Sequence, residues 1–411
     1  MNETFLSEFN KRNYFNQCTN SSELEQLMNS KKIRAYIGFD CTAPSLHVGS
    51  LLQIMCLRLL QKHGHQPIIL LGGGTTRIGD PSGKEETRKI LSEKEIEKNI
   101  KNIEKILKIF LKTNNPKTKP IFINNYKWLG KLNYIKFLRE IGKHFTINKM
   151  LNFESVKIRL EREQSLSYME FNYMILQAYD FLELNKTKNC LMQIGGSDQW
   201  GNIVNGVELI KRHSNKQVFG LTTPLITLAS GSKMGKTEKG AVWLDKKLLS
   251  SYDYWQFWRN TDDRDVLKFL QMFTDLTLEK IEELKNENIN QLKIVLANET
   301  TAMLHGKSAA QKAEQTAKDT FERKSIGDDL PSIVLNKEKV ANEINIVDLV
   351  IISNLSNSKS EVRRMIKNRG IKINNETIEN DKFNVSLNNF NKENFLKLSH
   401  GKKKHIIFKI S

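Results

Sequence analysis

Residues 33–39 read Ile-Arg-Ala-Tyr-Ile-Gly-Phe, residues 47–62 form a longer, mostly apolar stretch, and residues 67–74 read Pro-Ile-Ile-Leu-Leu-Gly-Gly-Gly. The outer two are short apolar runs closed by glycine, the form of buried strands, while the middle one is long enough for a helix. Strand, helix and strand in succession make a β-α-β unit, and its crossover connection sets the two strands parallel. The theme returns at Pro120–Ile123, Cys190–Ile194 and Pro224–Leu228, each bounded by Gly, Asn or Pro, with helical patterns between them. The expected fold class is therefore α/β, a doubly wound, Rossmann-like parallel sheet over residues 1–245.

Beyond that sheet the pattern turns helical over residues 246–325. Asp265–Phe273 and Leu278–Asn286 carry apolar residues at spacings of three and four, which predicts an all-α domain. Residues 326–344, around Asp328-Asp329-Leu330-Pro331, are polar and weakly periodic and are expected to be a linker. Compact patterning resumes over 345–411, with a basic helix expected at Ser358–Asn368, then Gly370 and a strand at Ile371–Ile373. That is the outline of a small α+β domain.

Composition limits the function classes. Hydrophobic residues at 39% and charged residues at 27% describe a globular chain and exclude a disordered one. No apolar run approaches the roughly 20 residues of a membrane span, and the polar N-terminus Met1–Arg12 lacks the apolar heart of a secretion signal, so a cytoplasmic protein is expected. Cys18, Cys41, Cys56 and Cys190 are scattered, and the histidines form no H-E-x-x-H motif, so neither a disulfide framework nor a structural metal is expected. The net charge of +18 suits a polyanionic partner such as nucleic acid, and equally suits a chain that is simply rich in lysine.

Five stretches carry candidate chemistry. Cys41-Thr42-Ala43-Pro44-Ser45-Leu46-His47-Val48-Gly49-Ser50 follows the first strand and opens a helix, and a helix start presents unpaired N–H groups to phosphate. Gly49 permits close approach, and Thr42 and His47 could reach phosphate oxygens. Gly231-Ser232-Lys233-Met234-Gly235-Lys236-Thr237 sets two lysines three apart in a flexible loop, suited to closing over a triphosphate. Gly79-Asp80-Pro81-Ser82-Gly83-Lys84, with Arg88 beyond, follows the second strand, so Asp80 could receive an ammonium group and the two cations could meet pyrophosphate. The helical stretch Tyr168–Leu184 places Tyr173, Gln177 and Asp180 at i, i+4 and i+7, a polar stripe on one face. Gln193-Ile194-Gly195-Gly196-Ser197-Asp198-Gln199-Trp200-Gly201-Asn202 leaves a strand directly, and Asp198 could hold a ribose hydroxyl. Taken singly, each also fits a capped helix start, a solvated loop or a demanding turn.

Their order and spacing together are another matter. The chain resembles the class I aminoacyl-tRNA synthetases, whose two signatures are written HIGH and KMSKS and stand here as His47-Val48-Gly49-Ser50 and Lys233-Met234-Gly235-Lys236-Thr237. It is most similar to the bacterial and organellar tyrosyl-tRNA synthetases, through Tyr-Ile-Gly-Phe-Asp at 36–40, Gly-Asp-Pro-Ser-Gly-Lys at 79–84, Asn125-Tyr126-Lys127-Trp128, the stretch 168–184 and Gly-Gly-Ser-Asp-Gln-Trp-Gly-Asn at 195–202.

The resemblance implies activation of L-tyrosine by ATP with Mg²⁺, then transfer to tRNA. Tyr36 and Asp180 would bind the phenol hydroxyl, and Asp80, Tyr173 and Gln177 the ammonium group, with Asn125 and Gln199 completing the tyrosine site. Gly38, Asp40, His47, Gly49, Ser50, Gly196, Asp198, Lys233, Met234 and Lys236 would line the ATP site. Thr42, His47, Lys84, Arg88, Lys233 and Lys236 would act on the leaving pyrophosphate. The segment 345–411 resembles a small RNA-binding module, whose Lys359, Arg363, Arg364, Lys367 and Arg369 would meet RNA phosphates. The family is a homodimer. Two departures stand out: Ser50 replaces the second His of HIGH, and Gly235 and Thr237 replace the serines of KMSKS. Other readings of the same residues are a tryptophanyl-tRNA synthetase, a synthetase-derived RNA-binding protein without catalysis, and a small-molecule nucleotidylyltransferase.

Overall fold

Six strands form the central sheet of the computed structural model: β1 (Gln17–Cys18), β2 (Arg34–Phe39), β3 (Gln66–Leu71), β4 (Ile121–Asn124), β5 (Cys190–Gly196) and β6 (Phe219–Thr223). The structure describes residues 3–82, 91–231, 234–237, 240–321, 330–391, 394–401 and 404–410. Strand order is β1-β6-β5-β2-β3-β4. All neighbours from β6 to β4 are parallel, and β1 caps one edge antiparallel. Helices cover the strands on both sides, so β3 is buried along nearly its whole length and reads as an unbroken apolar run. From β2 the chain winds through β3 and β4 in one direction, then returns to lay β5 and β6 on the other side. The reversal leaves a crevice at the carboxyl ends of β2 and β5, where open α/β sheets take their ligands.

Local departures from the sequence reading have identifiable causes. The strand expected at Pro224–Leu228 lies one step earlier, at Phe219–Thr223, which is buried throughout and paired to β5. Pro224 has no N–H to donate and ends the pairing. The helix expected from residue 47 begins as a 3₁₀ turn, Val48–Ser50, and becomes α-helical at Leu51–Lys62. The stretch 168–184 is two helices, Tyr168–Phe171 and Tyr173–Lys188. Ser167 and Glu170 form a capping box on the first, and Asn172 turns back to donate its side-chain amide to the Tyr168 carbonyl at 2.7 Å, which tightens the junction.

Contacts divide the chain into one unit of residues 1–249 and 257–304 and another of 250–256 and 305–411. The first holds the sheet and the helices Val266–Phe273, Leu278–Leu284 and Ile289–His305 up to residue 304. Buried Arg12 fastens the N-terminal helix to this unit, donating to the carbonyls of Gln271, Thr274 and Leu276 while paired with Glu8. In the second unit, the antiparallel strands Ile371–Ile373, Phe395–His400 and Lys404–Ile410 pack against the helices Ile346–Ile352 and Lys359–Lys367. Ser358 caps the basic helix, and Val362 and Ile366 are its buried side.

The expected linker is corrected here. Within 326–344, the described residues 330–344 contain the strand Ser332–Leu335, the helix Lys337–Ala341 and the strand Ile344–Asn345. Ser332–Leu335 pairs in parallel with Ile407–Ile410. A run this short has no period of its own to read, because its structure comes from a partner more than 70 residues away.

Candidate active site

A cavity of about 220 Å³ opens at the crevice between β2 and β5. All seven residues that the sequence assigned to tyrosine line it: Tyr36, Asp80, Asn125, Tyr173, Gln177, Asp180 and Gln199. They arrive from five places. Tyr36 stands on β2, Asp80 follows β3, Asn125 follows β4, and the helix Tyr173–Lys188 contributes its polar stripe. Gln199 comes from the turn after β5.

At the deep end, Asp180 is almost completely buried. Asn125 Nδ2 donates to one carboxylate oxygen at 2.9 Å and Trp128 Nε1 to the other at 2.7 Å. Burial pushes this carboxyl up to about 7, and those two hydrogen bonds hold it from rising further. Tyr36 lies beneath the same region, its ring tilted against Phe181 at 5.3 Å, and its hydroxyl is enclosed with no hydrogen-bond partner among the described residues. Gln193 on β5 lines the cavity too, and its Oε1 is equally unpartnered. Buried polar groups normally find partners, so enclosed orphans in a cavity wall mark a surface that a polar ligand completes.

At the open end, Tyr173 donates its hydroxyl to Asp40 Oδ2 at 2.9 Å. Asp80 accepts from Gln199 Nε2 at 2.9 Å and from the Ser82 N–H at 2.9 Å. Asn202 donates to both Gln177 Oε1 and Gln199 Oε1, at 3.1 and 3.2 Å, and so fixes how both amides face. Gly38 also lines the cavity, and a Cβ added there would meet nothing within 4 Å.

The two signatures meet. His47 caps the 3₁₀ turn by accepting the Gly49 N–H on Nδ1 at 3.0 Å, with its ring edge-on to Trp243 at 6.3 Å. Backbone bonds lace the loops together, from Val48 N to Val242 O at 2.9 Å and from Val242 N to Gly235 O at 3.2 Å. Gly235 has φ of +101°, and a Cβ on it would lie 2.6 Å from His47 Nδ1 and 2.9 Å from Gly49 N. Only glycine fits both the conformation and the space. Met234 is buried beside it, and Lys236–Thr237 pairs with Gly240–Ala241 as a hairpin.

The remaining assigned residues fall as follows. Asp40 and Gly196 line the cavity, and Asp198 is exposed beside Gly196. Thr42 is exposed on a loop whose preceding residue, Cys41, is held by Thr76 Oγ at 2.7 Å and by Asn99 Nδ2 at 3.0 Å. Ser50 is half-buried at the start of the helix Leu51–Lys62 and caps nothing with its side chain. Lys84, Arg88 and Lys233 lie outside the described residues, as does the side chain of Lys236. In the basic helix, Lys359 pairs with Asp348 at 2.6 Å and Arg363 with Asp381 at 3.3 Å, and Arg369, just past its end, with Glu379 at 3.1 Å. Arg364 and Lys367 are exposed on it, and among the described residues no carboxylate pairs with either.

Sequence reasoning missed Thr75, Gln53, Gln193 and Asn202, and gave Trp128 no role. Trp128 and Gln193 stood inside quoted motifs, so a tally of their polar atoms was within reach. Gln53 and Thr75 carried no signal beyond lying near glycine-rich turns.

Residues 28–322 match the family model of the class I tRNA synthetases (W and Y), and residues 322–408 match that of the tyrosine–tRNA ligase SYY-like C-terminal domain. The fold and site thus define a class I aminoacyl-tRNA synthetase. Within that class the chain belongs to the tyrosine–tRNA ligases. It is 71% identical over 402 residues to the tyrosine–tRNA ligase of Pelagibacter ubique, covering 98% of each chain. It is 50% identical over 410 residues to that of Rickettsia bellii, covering 99% of this chain and 100% of the other. A C-terminally truncated mitochondrial tyrosyl-tRNA synthetase of Aspergillus nidulans superposes with a TM-score of 0.71 at 29% identity, covering 78% of this chain and 94% of that one.

Proposed function

We propose that this chain activates L-tyrosine with ATP, releasing pyrophosphate, and then transfers tyrosine to the 3′-terminal ribose of tRNA(Tyr). The observation that carries the reading is the cavity at the β2–β5 crevice. Seven residues assigned from sequence converge on it, and the Tyr36 hydroxyl is enclosed in its wall without a partner.

The chemistry needs no nucleophilic side chain. The tyrosine carboxylate attacks the α-phosphorus of ATP, the bond from that phosphorus to the α,β-bridging oxygen breaks, and pyrophosphate leaves. The protein's work is to align two anions and to stabilise charge as it moves onto the leaving group. Asp80, Tyr173 and Gln177 would hold the ammonium group, which fixes the carboxylate's direction. His47 and Thr42, with Lys84, Arg88, Lys233 and Lys236 from the loops, would meet the phosphates. ATP would enter with Mg²⁺, which shares the neutralisation of charge. In the second step the terminal ribose hydroxyl attacks the adenylate carbonyl and AMP leaves.

Tyrosine is selected at the deep end. Its phenol would give Tyr36 the partner that it lacks and Asp180 a donor beyond Asn125 and Trp128, whereas phenylalanine would leave both facing hydrocarbon. The basic C-terminal segment would contact tRNA phosphates, with 246–325 serving as the helical tRNA-binding region. A homodimer is supported by apolar side chains exposed between residues 134 and 168, including Ile135 at 70%, Ile147 at 60% and Tyr168 at 66%. Among the described residues no helix is long and apolar enough to cross a membrane.

The test is pyrophosphate exchange with the purified chain, ATP and Mg²⁺. Exchange driven by tyrosine, followed by charging of tRNA(Tyr), is expected. Exchange driven by tryptophan instead, or none, would overturn the reading.

A further inference from the structure

The polar groups at the two ends of the cavity are joined through one side chain. Thr75 is 3% exposed and sits just after the glycine triplet that ends β3. Its hydroxyl donates to Asp40 Oδ1 at 2.7 Å and accepts from Asn125 Nδ2 at 3.1 Å. The second N–H of the same amide goes to Asp180 at 2.9 Å, and the other oxygen of Asp40 receives Tyr173. A continuous chain therefore runs from Tyr173 through Asp40, Thr75 and Asn125 to Asp180.

The direction of each bond follows from what each group can do. The backbone N–H of Gly74 donates to Asn125 Oδ1 at 2.6 Å, and a backbone N–H can only donate. That fixes the amide with its nitrogen toward Thr75 and Asp180. An ionised Asp40 only accepts, so the single hydroxyl proton of Thr75 points to it, and the hydroxyl's lone pair is left for Asn125. Every donor in the chain is committed. The glycines explain themselves in the same terms. A Cβ at position 72 would overlap Asp40 Oδ1 and come within 2.6 Å of Thr75 Oγ1, and one at position 73 would overlap the side chain of Asn124.

We infer that Thr75 is a positioning residue that locks Asn125, and through it the phenol-selecting carboxylate of Asp180, to Asp40 and Tyr173 at the other end of the site. The inference rests on the proposed tyrosine-activating function. Without the hydroxyl, Asp40 loses a charge-assisted donor and one N–H of Asn125 is freed, so the amide can turn away from Asp180. The loss falls on recognition of the phenol, because the groups that hold the rest of the amino acid keep their other bonds.

The experiment compares full-length Thr75→Val and Thr75→Ser in pyrophosphate exchange with tyrosine and with phenylalanine, alongside thermal unfolding. Valine keeps the shape and removes the hydroxyl, whereas serine keeps the hydroxyl and removes a methyl. The expected result for Thr75→Val is a KM for tyrosine raised about tenfold and a tyrosine-over-phenylalanine preference reduced by a similar factor, with Thr75→Ser close to the parent. Equal behaviour of Thr75→Val and the parent would overturn the inference. So would equal damage from valine and serine, or a Thr75→Val loss that is the same for both amino acids, since each marks a packing role only. If valine is not accommodated, Thr75→Ala carries the same comparison. A parent protein that shows no tyrosine-dependent exchange removes the functional reading itself, whereas an active parent matched by Thr75→Val removes only the relay.

Discussion

Tyr36 and Gln193 stand opposite each other in register on the parallel strands β2 and β5, both buried, each with a polar atom enclosed and unpaired among the described residues. This pairing sits where the strand order reverses, so the switch point of the sheet and the unsatisfied polar groups coincide. A folded protein tolerates such groups at a cost, and here the cost falls in the wall of the candidate tyrosine cavity.

Tyr36→Phe should separate stability from function. Removing an unpartnered buried hydroxyl leaves the free protein as stable as before, or more stable by up to about 1 kcal/mol, while the KM for tyrosine rises about tenfold. Thermal unfolding and exchange kinetics on the same preparation check it. A clear fall in melting temperature would show that the hydroxyl has a structural partner.

Asp180 gives a pH signature. Its ordinary value is 3.8, and in the folded protein burial raises it to about 7. Below about pH 4 both folded and unfolded chains carry its proton. As pH rises toward 7 the unfolded chain releases that proton while the folded one keeps it, so stability drains away across this window and levels off above it. Asp180→Asn should flatten this part of the stability profile between about pH 4 and 7, measured by urea unfolding. The preference for tyrosine over phenylalanine should rise as pH increases through 7, because the ionised carboxylate is the stronger acceptor for a phenol. The ratio of kcat/KM values isolates the effect, since both amino acids share the same ammonium and carboxylate groups. A ratio that does not change with pH would count against the phenol contact.

Gly235→Ala should damage the chemical step. It forces a Cβ into φ of +101° and against His47 Nδ1. Strain of this kind costs about 1–3 kcal/mol, or roughly ten- to hundredfold in adenylate formation if the loop must keep its shape. Tyrosine binding, measured by equilibrium dialysis, should be unchanged. Comparable losses in binding and rate would mean that the glycine supports the fold and not the meeting of the two signatures.

The basic helix makes a prediction about RNA. Lys359, Arg363 and Arg369 already face carboxylates, so Arg364 and Lys367 are the side chains on which phosphate contact should depend most. Replacing both with Glu should raise the KM for tRNA at least tenfold and flatten its salt dependence, with tyrosine-dependent exchange unaffected. Unaltered charging of tRNA would remove this helix from the RNA-binding surface.

Much of this was legible in the chain itself. Apolar runs closed by glycine gave β2, β3 and β5, since buried parallel strands must be hydrophobic along their length. The spacing of Tyr173, Gln177 and Asp180 gave a shared face, because helical geometry is local. The linker expected at 326–344 failed for the opposite reason. Ser332–Leu335 is a strand only because Ile407–Ile410 lies beside it, and no window of neighbouring residues contains that partner. Pro224–Leu228 was assigned for its apolar residues, while the buried strand before it, Phe-Gly-Leu-Thr-Thr, was disguised by its glycine and threonines.

Sequence alone therefore determined the class of fold, the positions of β2, β3, β4 and β5, and the shared helix face of Tyr173, Gln177 and Asp180, because each follows from the residues and their close neighbours. Only the tertiary structure decided that Thr75 joins Asp40 to Asn125, that Asp180 is held by Trp128, and that Gly235 presses against His47. Those contacts join residues some 35 to more than 180 positions apart. What fixes them is the winding of the chain around one sheet and the need of each buried polar atom for a partner, and neither can be read from a local pattern.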